Sequence, residues 1–343
     1  MSNSTPSRPS SRRGFLQNLG VGALGAVLGG TLTERVLGHW YGSQAASPIL
    51  PLHGRGVEPA TLTLDGGIKI HAIQTGYVAV KTVHREYTGN DGGGLLAIVA
   101  DSTWTEWLPI NTWAIEHPEG VILVDTGESS RATSDSANYF ACDPGTAFFY
   151  NSFLRLAVAP EDEMAAQLRG LNIAPADVRW IVQTHLHGDH MGGLKDFPNA
   201  QVFVPTSDYP ASQGTLYCRY PEAFAPTLVN FVPEPLQTFS QTLPVTADGA
   251  LRIIPTPGHT AGHQSVMLTL DDMSYCFAGD TSFDDTQLLS GAMAGIVADP
   301  AQSRATLAAL RDYCQSTPTV YLPTHDHASR ERLLQQRATE VTA

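Results

Sequence analysis

Seven residues, 184–190, constrain this chain more than any other stretch. They read Thr-His-Leu-His-Gly-Asp-His and place four potential metal ligands, His185, His187, Asp189 and His190, within six positions. The apolar run at 178–182 (Val-Arg-Trp-Ile-Val) leads straight into them and reads as a buried strand. Side chains alternate along a strand, so His185, His187 and Asp189 leave its end on one side. Gly188 permits the turn that brings His190 round. Imidazoles and a carboxylate crowded at a strand end repel one another or stay unpaired unless a cation sits among them.

Three more strand ends present ligands. A strand at 251–255 delivers His259 in the turn Thr-Pro-Gly-His-Thr-Ala-Gly-His at 256–263, where Pro and Gly hold a sharp bend. A strand at 273–278 ends in Gly279-Asp280, and one at 319–322 delivers Pro323-Thr324-His325. A single histidine after a strand is more often a satisfied hydrogen-bonding group than a ligand. The recurrence at four strand ends carries the argument. His327 is a rival to His325, and His263 reads as a packing or supporting residue.

The segment 109–127 reads as a β-hairpin around a Pro-Glu-Gly turn, closing in Asp125-Thr126-Gly127. From the residues alone, Asp125 caps the turn at the end of the second strand. Residues 128–160 read as loop, with Phe148, Phe149, Tyr150, Phe153 and Leu154 as possible pocket lining. Residues 161–171 have helical spacing, 201–204 and 264–270 are strands, and 209–241 shows no period. Asp299-Pro300 opens a helix, with Leu307, Leu310 and Cys314 on one side. The aromatics at 104–107 cover a pocket or simply pack.

The sequence has 343 residues, 42% hydrophobic and 15% charged, which places it among globular chains. Residues 1–45 hold four Arg and one Glu, leaving 16 basic and 32 acidic residues, a net charge of −16. So acidic a surface argues against nucleic acid or an anionic membrane as partner. None of the four cysteines (142, 218, 276, 314) is spaced as Cys-x-x-Cys, which argues against a cysteine zinc site. Cys276 reads as a buried, inert thiol, and a disulfide among the others is open.

At the N-terminus, Ser11-Arg12-Arg13-Gly14-Phe15-Leu16 precedes a Gly- and Ala-rich apolar stretch at 19–32. This resembles a twin-arginine export signal, with small residues at 43–46 for cleavage. The expected organisation is therefore a signal at 1–46, a Pro/Gly-rich linker at 47–67 and a catalytic domain at 68–343. The expected location is periplasmic or secreted, with the export machinery as a partner and no membrane span in the mature protein.

The arrangement His-x-His-x-Asp-His, followed by the turn at His259, Gly279-Asp280 and Thr324-His325-Asp326, resembles the metallo-β-lactamase superfamily. From about residue 68 to 327 the chain is similar to its N-acyl-homoserine lactonase branch. The resemblance implies an αββα sandwich, two mixed sheets face to face with helices on both outer faces. It implies one divalent ion on His185, His187 and His259 and a second on Asp189, His190 and His325, bridged by Asp280. It also implies that Asp125 orients a metal-bound histidine. Zinc suits such ligands, and iron, manganese or cobalt are also accepted. Asp280 and Asp189 then carry catalytic roles, Asp189 as ligand first and proton relay second. A shared hydroxide, between ions ~3.5–4 Å apart, attacks a lactone or ester carbonyl. A homodimer is compatible with the resemblance.

One departure bears on substrate. In those lactonases a Tyr commonly lies three residues after the bridging Asp and helps polarise the carbonyl. The third residue after Asp280 is Phe283, which cannot donate. Losing one such donor costs about 2.7–4 kcal/mol, so Tyr209 or Tyr217 is a candidate substitute. The alternatives are a phosphotriester or aryl-ester hydrolase on the same fold, or a non-hydrolytic metal protein for redox or storage.

Overall fold

A computed structural model describes residues 57–86, 94–271 and 273–341. The export-signal reading of 1–46 and most of the 89–94 loop lie outside the described residues. Two mixed β-sheets form the frame. The larger takes the order β1-β2-β3-β4-β6-β7-β8, with β5 also on β2. Its strands are β1 (Ala60–Thr63), β2 (Lys69–Val80), β3 (Leu108–His117), β4 (Gly120–Val124), β5 (Leu154–Ala157), β6 (Val178–Val182), β7 (Gln201–Pro205) and β8 (Thr227–Val229). The smaller sheet runs β13-β12-β11-β10-β9. It comprises β9 (Leu243–Pro244), β10 (Leu251–Pro255), β11 (Gln264–Thr269), β12 (Ser274–Gly279) and β13 (Thr319–Pro323).

Period-two alternation decides which side chains meet between the sheets. Trp113 and Ile115 of β3 point inward with Ile122 and Val124 of β4, against Tyr275 and Phe277 of β12 and Val320 and Leu322 of β13. The Trp113 and Phe277 rings lie 5.5 Å apart. The intervening residues face out and are covered by helices, so the strands are apolar on both sides. On the large sheet, Ile73, Ala114 and Ile181 pack with Met164 and Leu168 of a helix at Met164–Gly170. On the small sheet, Ile254, Met267, Cys276 and Tyr321 pack with Leu307, Leu310 and Tyr313 of a helix at Pro300–Ser316. This is the αββα sandwich. The second helix starts as expected: Asp299 accepts from Ala301 N at 2.9 Å and Gln302 N at 3.0 Å, with Pro300 behind it.

Two expectations change, and one open alternative resolves. The sheet begins before residue 68, because β1 pairs with β2 from Ala60↔Ala72 to Thr63↔Lys69 and buries Ala60 and Leu62. Four residues are too short a run for the alternation to stand out from a linker. Residues 128–160 are not loop. They hold helices at Arg131–Ser134, Ser136–Tyr139 and Pro144–Phe153, then β5. The first two are single turns with no room for a 3.6-residue period, but Asp143-Pro144 carries the cap signature of the third, with Asp143 accepting from Gly145 N and Thr146 N. Finally, Trp104 is a packed residue, gripped between Lys81 Nζ at 4.1 Å and the Arg155 guanidinium at 4.0 Å.

Cys142 and Cys218 form a disulfide, with Cα atoms 5.3 Å apart, and Cys276 is fully buried as a free thiol. Among the described residues no helix is long and apolar enough to cross a membrane.

Candidate metal centre

The ligand-bearing strand ends meet at one edge of the sandwich. β6 runs out into residues 183–187, and a single helical turn at Gly188–Met191 carries Asp189 and His190. β10 delivers the His259 turn, β12 ends at Asp280 and β13 at His325. His185, His187 and His259 form one group whose ligand atoms lie within 4.8 Å of one another, and Asp189, His190 and His325 form another. Asp280 joins them. Its Oδ2 is 3.5 Å from His259 Nε2 and 3.4 Å from His325 Nε2, and its Oδ1 is 3.3 Å from His190 Nε2. His327 is exposed on the strand's far continuation, so the rivalry with His325 resolves in favour of the latter.

In four of the five rings the nitrogen facing the centre carries a lone pair, because the other nitrogen is committed as a donor, while His259 Nδ1 has no partner among the described residues. His187 Nε2 donates to the Gln213 carbonyl at 3.0 Å, and His325 Nδ1 to the Pro109 carbonyl at 2.9 Å. His190 Nδ1 donates to Asp125 Oδ2 at 2.8 Å. The Thr184 hydroxyl donates to Asp125 Oδ2 and so accepts from His185 Nδ1 at 3.1 Å. His185 Nε2 and His187 Nδ1 then face each other 2.9 Å apart, and His259 Nε2 sits 3.1 Å from His187 Nδ1. With no proton between His185 Nε2 and His187 Nδ1, that contact is repulsive, and a cation is the species that reconciles it. Among the described residues, His190 Nε2 and Asp280 Oδ1 are buried with no hydrogen-bond partner, 3.3 Å apart at the same centre. The donor set therefore fits two divalent ions.

The electrostatics differ between the halves. Burial, reinforced by neighbouring imidazoles, holds His185 and His259 well below the usual imidazole range, so both stay neutral. His190 is also penalised by burial, but Asp280, Asp125 and Asp189 overcome it and raise the imidazole well above its ordinary value. Burial likewise opposes a charge on His325, yet Asp280 and Asp189 raise it. One half is thus a set of neutral nitrogen donors, and the other a carboxylate-rich seat that draws positive charge.

Supporting residues hold the ligands in place. Asp125 also accepts from Thr184 N at 2.7 Å. His263 receives the Asp280 N–H on Nε2 at 3.0 Å and turns Nδ1 to the Thr256 carbonyl at 3.1 Å, so it aims the shared carboxylate without ligating. Burial keeps its imidazole low, at about 3. Asp208 accepts from Thr260 Oγ1 and Gly262 N, fixing the His259 turn. Gly258, at φ 144°, presses that turn onto the backbone of Ser303, where a Cβ would come within 2.5 Å. Arg332, wholly buried, donates to Asp326 Oδ2, Asp285 Oδ2 and the Tyr321 carbonyl, pinning the residue after His325.

Of the substitute donors expected from sequence, Tyr217 has its hydroxyl committed elsewhere. The Tyr217 hydroxyl donates to the Cys142 carbonyl at 2.9 Å. The Tyr209 ring packs with Tyr220 and Phe224. Phe283 lies against His325, with ring centroids 5.4 Å apart. Thr184, Asp208, Arg332 and the buried pair Glu128–Tyr139 (2.7 Å) escaped the sequence reading. Of these only Thr184 carried a signal, lying inside the ligand stretch.

The sequence profile of the Metallo-beta-lactamase superfamily matches residues 105–325. An N-acyl homoserine lactonase AttM from Rhizobium radiobacter is 27% identical over 272 residues, covering 76% of this chain and 93% of that protein. A probable metallo-hydrolase from Mycobacterium bovis is 31% identical over 179 residues, 49% of this chain and 55% of its own length, so the chain spans about half of that relative. A solved N-acyl homoserine lactone hydrolase, with the product N-hexanoyl-L-homoserine bound at its catalytic metal centre, superposes with a TM-score of 0.62 at 20% identity. The superposition covers 76% of this chain and 94% of that one, and it shows the fold.

Proposed function

The chain belongs to the metallo-beta-lactamase superfamily, and on that premise we propose that it is a two-metal hydrolase that opens lactones, N-acyl homoserine lactones first among them. The observation that carries the reading is the Asp280 carboxylate, within 3.5 Å of a ligand nitrogen in each half of the centre. When bound, a pair of divalent cations, zinc by the chemistry of the donors, supplies a water of lowered pKa and an electrophile for the carbonyl oxygen.

The chain's own residues do the rest. Asp280 keeps the two halves in register, and His263 aims it. Asp125 fixes the His190 and Thr184 orientations at once. Asp189 turns Oδ2 toward His325 Nε2 at 3.4 Å and Oδ1 toward His190 Nε2 at 3.9 Å, so its carboxylate serves as a ligand first and as a proton relay second. The relatives that act on acyl homoserine lactones support the substrate class.

Purified protein, assayed for metal by elemental analysis, is offered a panel of acyl homoserine lactones, simple lactones, aryl esters and phosphotriesters. Lactone opening that disappears on chelation and returns with zinc is expected, and His187→Ala should lose bound metal and turnover together. Absence of turnover on every lactone overturns the reading. Export by the twin-arginine route belongs to the same proposal, supported by residues 11–32, and N-terminal sequencing of the mature periplasmic protein tests it.

A further inference from the structure

The centre is lined by acceptors: imidazole lone pairs and carboxylate oxygens. Hydrolysis also profits from a donor aimed at the oxygen that gathers charge. Among the described residues, four tyrosine hydroxyls are committed. Tyr150 donates to the Gly214 carbonyl and accepts from Gly188 N. Tyr139 donates to Glu128, Tyr217 to the Cys142 carbonyl, and Tyr321 is shared with Thr281 and Ser282. Phe283, beside His325, has none to give.

His84 is different. It sits on a helical turn at Thr82–Arg85, 9% exposed, and its Nδ1 is buried with no partner among the described residues. The groups that act on its charge are His187, Asp280, His325 and Asp189, drawn from both halves of the centre. Its ring stands edge-on to Phe283 at 6.2 Å and to Phe149 at 6.1 Å. The backbone beneath it is tied to the segment that follows Asp280. Gly295 N donates to the His84 carbonyl at 2.8 Å. Gln287 donates to the Arg85 carbonyl and accepts from Phe283 N, both at 2.8 Å. Arg85 pairs with Asp284. A buried imidazole without a protein partner, held so firmly beside the ligands, is costly unless something else meets it.

We propose that His84 is a catalytic residue whose neutral imidazole N–H donates a hydrogen bond to the substrate oxygen on which negative charge builds. The inference rests on the hydrolase reading above. Burial supports it, holding the imidazole near a pKa of about 4, so the ring is uncharged at neutral pH and carries one N–H. Phe149 and Phe283 both pack edge-on to the ring and fix its plane. Phe283 thus serves as the support of a donor that comes from another part of the chain.

The test compares wild type, His84→Phe and His84→Gln as zinc-loaded proteins. Each is measured for metal content, for kcat and KM on the electrophiles the wild type turns over, and for affinity toward inorganic phosphate by calorimetry. With both ions retained, His84→Phe should lower kcat about 100–1000-fold with little change in KM. It should also weaken phosphate binding, and His84→Gln, which keeps an N–H, should recover part of both. Unchanged kcat and unchanged phosphate affinity in His84→Phe overturn the proposal. If the wild type opens nothing in the panel, the hydrolase reading falls separately, and the phosphate titration alone decides for or against His84 as a donor. If His84→Phe loses metal, proton NMR of the wild-type zinc protein decides. A His84 N–H resonance that moves downfield with phosphate supports the inference, and one that stays in place overturns it.

Discussion

The Oδ2 atom of Asp125 lies 2.8 Å from Nδ1 of His190, on a residue whose backbone sits in the left-handed region at φ 61°. That conformation costs energy for any residue but glycine, and Asp tolerates it better than most. It turns the carboxylate across the end of β4, where it reaches Thr184 N, Thr184 Oγ1 and His190 together. Asp125→Ala should weaken metal affinity about 10–100-fold, chiefly in the half that holds His190. Competition with a chromogenic chelator measures this, and an affinity equal to wild type would contradict the assigned role.

Arg332 is expected to be the costliest single side chain outside the apolar core. Its guanidinium is buried between Asp326 and Asp285, at 2.8 and 2.7 Å. Arg332→Met removes the cation and strands the Asp326 carboxylate, a loss of about 3–5 kcal/mol for a pair broken in the interior. Urea denaturation reads it directly. The same variant should bind its second metal less tightly, because His325 precedes Asp326.

The His84 imidazole sets a pH dependence of stability. Its folded pKa of about 4 lies below the ordinary 6.5, with Asp280 and Asp189 raising it and His187 and His325 joining burial in lowering it. Below pH 6.5 the unfolded chain takes up a proton that the folded chain refuses. Stability from this group is therefore complete above pH 6.5 and declines as pH falls toward 4, by up to about 1.4 kcal/mol per unit. His84→Gln does not titrate, so its stability relative to wild type should improve by up to about 2 kcal/mol between pH 7 and pH 5. Thermal melts at the two pH values would show a constant gap if the imidazole were already charged in the fold.

Phe283→Tyr should have an effect that depends on residue 84. In the wild-type background a new hydroxyl beside His325 adds a second donor where one exists, and lactone turnover should rise less than about threefold. In the His84→Phe background it supplies the missing donor and should restore turnover at least about tenfold, within the range one such donor contributes. Equal effects in both backgrounds would separate the two residues.

The ligand stretch at 184–190 was legible because every ligand there is local in sequence, and the strand before it forces the geometry. His259, Asp280 and His325 were legible for the same reason, each following an apolar run. His84 was not, because it sits on a single helical turn among Lys81, Thr82 and Val83 with no motif around it, and only the folded chain brings it beside Phe283. Arg332 escaped for a related reason. Its partners Asp285 and Asp326 are adjacent only because β12 and β13 run parallel. The helices between 128 and 160 escaped because burial there comes from aromatic clustering, with Tyr150 stacked on Phe140 at 4.6 Å, and not from a periodic stripe.

The bridge between Cys142 and Cys218 joins residues 76 apart in the chain and spans the irregular stretch whose Gln213 carbonyl receives the His187 N–H. By chain-entropy reasoning such a crosslink is worth roughly 4 kcal/mol. Its influence reaches further than stability. Chains made under reducing conditions would hold the segment beside His187 by hydrogen bonds alone, from Tyr150 to the Gly214 carbonyl and from Tyr217 to the Cys142 carbonyl. Oxidation of two sulfurs thus adds a covalent tie between the helical stretch around Cys142 and the irregular stretch that meets His187.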